Sequence, residues 1–198
     1  LDNVVLAASG LSGITGKLIP KIQQRAVRAP TLEEIIEIAE DEFSDIQYRY
    51  KNPKQPRFSS DETLIDAIVV GLEGGMPKLY CVHENGYAEE IRNYRSTGDG
   101  SRFANQILKG LYRPDISKER AMEIAIHTII QVSKLDAVVD ANPQLAVIEG
   151  DRAYILNIDE SGNFNVFNSE INEITRKING IEEERIIVFN LLLDGSPE

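Results

Sequence analysis

The sequence predicts an α+β protein with helices packed outside antiparallel sheets, and three observations carry that reading. Amphipathic helical segments come in two pairs, at residues 12–50 and 101–136. Short β-type runs cluster between and after them, at residues 64–94 and 145–167, with glycine turns joining several. The order is therefore helices, a run of strands, two helices and more strands. It does not alternate β and α strictly, which argues against a doubly wound parallel sheet.

Residues 3–8 form a short apolar run consistent with a buried strand, ended by Ser9 and Gly10. Over residues 12–28 the apolar positions Ile14, Leu18, Ile19, Ile22 and Val27 fall mostly at helical spacing, though Gly16 and Pro20 weaken the first half. Ala29 and Pro30 break the chain. Thr31 followed three residues later by Glu34 is a capping box, and Leu32, Ile35, Ile36, Ile38, Ala39 and Phe43 carry a helix to about Tyr50. Residues 51–62 hold prolines and serines with no period and read as a loop.

Residues 64–71 are nearly all apolar and rich in Ile and Val, the pattern of a strand buried on both faces. Gly74 and Gly75 open a turn. Residues 78–83 and 87–94 are joined by Glu84-Asn85-Gly86, whose Asn-Gly pair is a strong hairpin signal, so this block is a meander. Residues 101–112 are helical with Phe103, Ala104, Ile107, Leu108 and Leu111 on one side. Ser117 caps a second helix reaching about Asp136, in which Ala121, Met122, Ile124, Ala125, Ile126, Ile129 and Val132 cover more than half the circumference. Such a helix packs on two sides. Residues 145–148 and 153–158, linked through Gly150 and Asp151, read as another hairpin, and 163–167 as a further short strand. Residues 171–178 suggest a short helix, while 185–193 suit a final strand or a buried helix equally.

A chain of 198 residues is most simply one domain with a real core, and 42% hydrophobic with 27% charged residues is ordinary for a globular protein. No apolar run approaches the roughly 20 residues of a membrane helix and no basic-then-apolar leader is present, so a cytoplasmic protein without a membrane partner is expected. A net charge of −11 argues against nucleic acid, whose phosphates demand clustered Lys and Arg. One cysteine and two histidines provide no zinc-type spacing, so neither a metal nor a cofactor is expected.

The segment from Gly98 to Asp136 is the most informative one. In Thr97-Gly98-Asp99-Gly100-Ser101, two glycines flank one residue directly before a helix start. Glycine allows positive φ and close approach, and a helix start leaves its first amides unpaired, so something polar is expected there. Other candidates read more plainly. Cys81 sits in an apolar alternation and reads as core filler. His83 lies in a strand alternation and His127 in the middle of a buried-looking helix, and both read as satisfied core or surface residues. Residues 9–16 are rich in glycine and hydroxyls ahead of a helix, yet lack the Gly-Lys-Ser/Thr ending of a phosphate loop, so they read as capping and close packing. Glu33, Glu34, Glu37, Glu40, Asp41 and Glu42 read as a solvated acidic face.

The order Pro77-Lys78-Leu79-Tyr80, Asn85-Gly86, Thr97-Gly98-Asp99-Gly100-Ser101, then Ala104, Leu108 and Tyr112, resembles the proteasome subunit family. Pro114-Asp115-Ile116-Ser117 and the helix carrying Glu119, Ala121 and Ala125 up to Asp136 continue the likeness, and a weaker one extends back through residues 2–10, covering roughly residues 2–150. The resemblance implies a four-layer αββα sandwich, two antiparallel sheets between helix layers. It also implies an N-terminal-nucleophile hydrolase, in which a threonine freed at the mature N-terminus is assisted by an aspartate and a lysine. None of those three can be placed in this chain. Leu1 resembles the stretch after the family's catalytic lysine, so the expectation is a single proteasome-like domain over residues 1–198 that lacks its first strands.

By the same resemblance the accessory residues are Asp99, Ser101 and Asp136, in supporting roles only, with Gly98 and Gly100 as the turn beside oxyanion and substrate. Asp99 stands where the family has the serine of a Gly-Ser-Gly turn. Asp136 matches the aspartate ending the second helix, while Val139 and Asp140 replace the family's serine and glycine. A carboxylate at Asp99 fits three roles: orienting an amine or hydroxyl, forming a structural ion pair, or capping the next helix. The function implied is that of a subunit of a self-compartmentalised threonine peptidase, ringed with other such subunits and acting on peptide or unfolded protein. The alternatives are a non-catalytic structural or partner-binding member, and a hydrolase or ligase of the same nucleophile class with another substrate.

Overall fold

The computed structural model describes residues 4–29, 31–51, 65–139, 143–149, 152–158 and 164–166. The loop read at 51–62, apart from Lys51, and the segments read at 171–178 and 185–193 lie outside these. The chain forms two compact units, Leu1–Gly98 and Asp99–Glu198, taken here in turn.

The first unit runs β1 (Val5–Gly10), α1 (Ser12–Ala26), α2 (Leu32–Tyr50), β2 (Ile65–Glu73), β3 (Met76–Val82) and β4 (Ala88–Ile91). Its sheet has the order β1-β2-β3-β4 and is antiparallel throughout. The registers Val69↔Tyr80 and Ala67↔Val82 put Ile65, Ala67, Val69 and Val82 on one face, where they join Ile14, Leu18, Ile22, Ile35, Ile36, Ala39 and Phe43 of α1 and α2 in one buried cluster. That is the helix-on-sheet core expected from the two periods, 3.6 in the helices and 2 in the strands. On the other face of β2, Val70 is buried but Asp66 and Ile68 only partly so, and burial there is less complete than the apolar run suggests.

The capping box forms as read: the Glu34 amide donates to Thr31 Oγ1 at 3.2 Å and the Thr31 amide to Glu34 Oε2 at 3.3 Å. At the far end of the sheet Gly86 turns the β3–β4 hairpin with φ +78°, and α2 clamps that hairpin. The Ala88 amide donates to Glu40 Oε1 at 2.9 Å and Ser44 Oγ to the Asn85 carbonyl at 3.4 Å.

Two sequence readings need correction in this unit. Val27 is 82% exposed, one residue past the end of α1, so it is not part of that helix's apolar face, which runs through Ile22 to Ala26. Glu42 is not on a solvated face: it is 5% exposed, held by Lys21 and by Arg25 Nη1 at 2.7 Å from α1. Burial alone raises a carboxyl pKa, but the hydrogen bonds from Lys21 and then Arg25 outweigh it and hold Glu42 below the usual carboxylate range. A lone charge in that position would be costly; a doubly paired one is tolerated.

The second unit runs α3 (Ser101–Leu111), α4 (Lys118–Leu135), β5 (Gln144–Glu149), β6 (Arg152–Ile158) and β7 (Phe164–Val166), with its strands antiparallel in the order β5-β6-β7. Ser117 caps α4, accepting from the Arg120 amide at 3.2 Å. Met122, Ile124, Ala125, Ile126, Thr128 and Val132 of α4 are buried, together with Ala104 and Leu108 of α3 and Leu145, Ala146, Val147 and Ile148 of β5. Thr128 satisfies its hydroxyl on the Ile124 carbonyl at 2.9 Å. His127, read as mid-helix in a buried-looking segment, faces outward and is exposed. Among the described residues the protein is α+β with two antiparallel sheets, as the sequence predicts.

Candidate functional site

The Thr97–Ser101 turn forms where expected, but its two glycines are needed for different reasons. Gly98 has φ +85°, a backbone state that side chains disfavour, and a Cβ there would meet Ser9 Cβ at 3.1 Å. That contact lies inside the first unit, at the end of β1. Gly100 has φ −76°, which any residue adopts; what it lacks is room. A Cβ would run into Val132 Cγ1 and stand 2.9 Å from Val139 Cγ2, so the start of α3 lies directly on the end of α4.

Gly100 is also the N-cap of α3, and no side chain caps that helix. Its carbonyl accepts the Phe103 and Ala104 amides, each at 3.1 Å. Asp99 is exposed and is the residue just before that N-cap. Ser101 is the first residue of α3 and half-buried.

At the other end of this small assembly Asp136 is the C-cap of α4, its amide donating to the Val132 carbonyl at 2.8 Å. Its Oδ1 accepts the Val138 amide at 3.1 Å and its carbonyl accepts the Val139 amide at 3.1 Å. Asp136 thus ties a tight turn that delivers Val139 to Gly100. Of the residues singled out in the sequence, the second unit brings Gly100 together with the turn that Asp136 organises, and Asp99 is exposed.

Elsewhere the structure assigns plain roles. Cys81 is fully buried, and burial above all pushes its thiol pKa up despite the nearby Arg95, which removes the thiolate that a nucleophile needs. His83 was legible only as a strand residue. Its Nδ1 lies 3.6 Å from Asp66 and its Nε2 3.4 Å from Glu89, with the ring stacked on Tyr87 at 6.2 Å. Burial pushes the Asp66 carboxyl up, partly offset by His83. Even so, among the described residues no group of three His, Cys, Asp or Glu side chains suits a metal ion. Among them, too, no helix is long and apolar enough to cross a membrane.

Sequence reasoning missed the Lys21–Arg25–Glu42 cluster. A signal was present: Lys21 and Arg25 lie four apart beside the core positions Leu18 and Ile22, and Glu42 sits next to Phe43. The His83 cluster gave none, because it depends on strand register.

Comparison with known proteins matches the "Proteasome subunit" family over residues 2–148. The chain is 28% identical to proteasome subunit beta 2 of Thermomonospora curvata over 116 residues, 58% of this chain and 40% of that one. It is 31% identical to the proteasome subunit beta of Methanoregula boonei over 88 residues, 44% of this chain and 41% of the relative. A proteasome subunit alpha type-5 of Drosophila melanogaster is 32% identical over 65 residues, 33% of this chain and 26% of its own. The matched stretches span less than half of each of these relatives.

Proposed function

The chain belongs to the proteasome subunit family, and from that premise we propose that it is a subunit of a ring-forming, self-compartmentalised threonine peptidase that hydrolyses peptide bonds. The observation that carries this reading is Gly100, at the start of α3 and seated on the end of α4 within the family-matched residues. The chemistry is acyl transfer without a cofactor. A threonine hydroxyl, not among the residues of this chain assigned a role, attacks the peptide carbonyl; its proton passes through its own amine to the departing amine as the C–N bond breaks, and water then hydrolyses the resulting ester to release the acyl product. A backbone amide near Gly98 and Gly100 stabilises the oxyanion. Gly98 supplies the left-handed backbone that the turn requires, Ser101 starts α3, and Asp99 and Asp136 serve in support. Both units are read as parts of one subunit, in the four-layer sandwich of the family and within a cytoplasmic ring of like subunits.

A second reading has its own observation in favour. Val139 brings a methyl-bearing side chain, not a hydroxyl, to the turn, and Asp136 Oδ1 is engaged by the Val138 amide. These suit a non-catalytic ring member. Fluorogenic peptide hydrolysis by the assembled full-length protein separates the two: turnover abolished by a threonine-directed epoxyketone supports the peptidase, and an intact ring without turnover supports the structural member.

A further inference from the structure

We propose that Asp66, His83 and Glu89 form a proton-operated clasp on the β3–β4 hairpin, closed when the His83 ring carries a proton on each nitrogen and loosened when it carries one. The strands build it. The register Ala67↔Val82 turns both of those residues into the helix-packed core, so their neighbours, Asp66 on β2 and His83 just past β3, fall on the opposite face of the sheet. Glu89 on β4 pairs with Cys81, two residues before His83, and shares that face. The ring stands between the two carboxylates, with Nδ1 3.6 Å from Asp66 Oδ1 and Nε2 3.4 Å from Glu89 Oε2. A neutral imidazole has one N–H and one lone pair, so it serves one carboxylate while turning the lone pair on the other. The imidazolium attracts both.

The charges nearby point the same way. Burial above all pushes the Asp66 carboxyl up; His83 offsets part of that, Glu84 adds to it and Arg95 draws it back. Lys51, at the end of α2, bonds Glu84 at 2.7 Å. Among the described residues this makes three carboxylates, Asp66, Glu84 and Glu89, to two cations, and a second ring proton evens the balance. His83 also shapes the hairpin tip. Its amide donates to the Tyr87 carbonyl at 2.9 Å, its carbonyl accepts the Gly86 amide at 2.8 Å, and its ring stacks on Tyr87. From the helix face α2 holds the same tip through Glu40 on the Ala88 amide and Ser44 on the Asn85 carbonyl, bonds that involve no histidine proton. Loss of the proton therefore loosens the tip on the His83 side alone. Histidine suits the role, being the side-chain type whose charge ordinarily changes between about pH 5 and 8.

The test is hydrogen exchange at the amide of residue 83 in the full-length protein, followed from about pH 5.5 to about pH 7.5 and corrected for the intrinsic change in rate, with the Val69 amide in the middle of β2 as internal reference. Relative to Val69, protection at His83 is expected to fall about two- to fivefold as the pH rises, the scale of a partly exposed ion pair. In His83→Gln, which keeps a donor but cannot titrate, the ratio is expected to stay flat. In Glu89→Gln, which leaves the ring one carboxylate, the fall is expected to shrink to about half. A parent ratio that stays flat or rises with pH would overturn the proposal. So would a His83→Gln protein that keeps the parent's fall, since another group would then be titrating. Glu89 is half-exposed, so its variant keeps the question decidable should His83→Gln fail to fold, and an undiminished fall there would overturn the bridge between two carboxylates. The readout needs neither ring assembly nor peptidase activity.

Discussion

Glycine at positions 98 and 100 is where single residues decide most. Gly98 is required by its dihedral angle, and Gly98→Ala is expected to lower stability by about 1–2 kcal/mol, the usual cost of a side chain in left-handed backbone. Gly100 is required by space. Gly100→Ala is expected to cost about 1–3 kcal/mol through overpacking against Val132 and Val139. In a Val132→Ala background the added methyl should find room, so the double variant should regain part of the loss; urea unfolding of the four proteins measures that coupling. Strict additivity would mean that Val132 is not what crowds Gly100. The sequence marks this turn clearly, because two glycines around one residue before a helix have few structural uses. It does not reveal that the second glycine answers to Val139, a contact made across the length of α3 and α4.

Between elements, the α1–α2 contact carries a charge cluster that the acidic run of α2 conceals. Glu33, Glu34 and Glu37 are exposed as the run suggests, but the helical period turns Glu42 inward beside Ala39 and Phe43. Composition favoured a solvated face; periodicity would have separated Glu42 from its neighbours. Because its pKa is lowered on folding, Glu42 contributes stability that is complete above the unfolded carboxylate value of about 4.3 and is lost as pH falls through the lower folded value. Glu42→Gln should therefore be less stable than the parent by about 1–2 kcal/mol near pH 6, its partners being half-exposed. The gap should close as the pH is taken down towards 3. A gap that is constant across that range would assign the loss to packing and not to charge.

Long, strongly periodic elements were the most legible: α2 with its capping box, the β2–β3–β4 meander, and the α3–α4 pair appear where the sequence puts them. Side-chain clusters were not, since Glu42 and His83 meet partners distant along the chain, and those meetings are set by helix facing and strand register. For the whole molecule the ordered likeness over residues 2–148 says more than any one site residue. The proposed role as a ring subunit requires heterologous contacts between neighbouring subunits that close on themselves. Native mass spectrometry with negative-stain electron microscopy of the full-length protein tests this most directly. Closed rings of several subunits are predicted, and a particle that stays monomeric at high concentration would contradict the assignment of this chain to a ring.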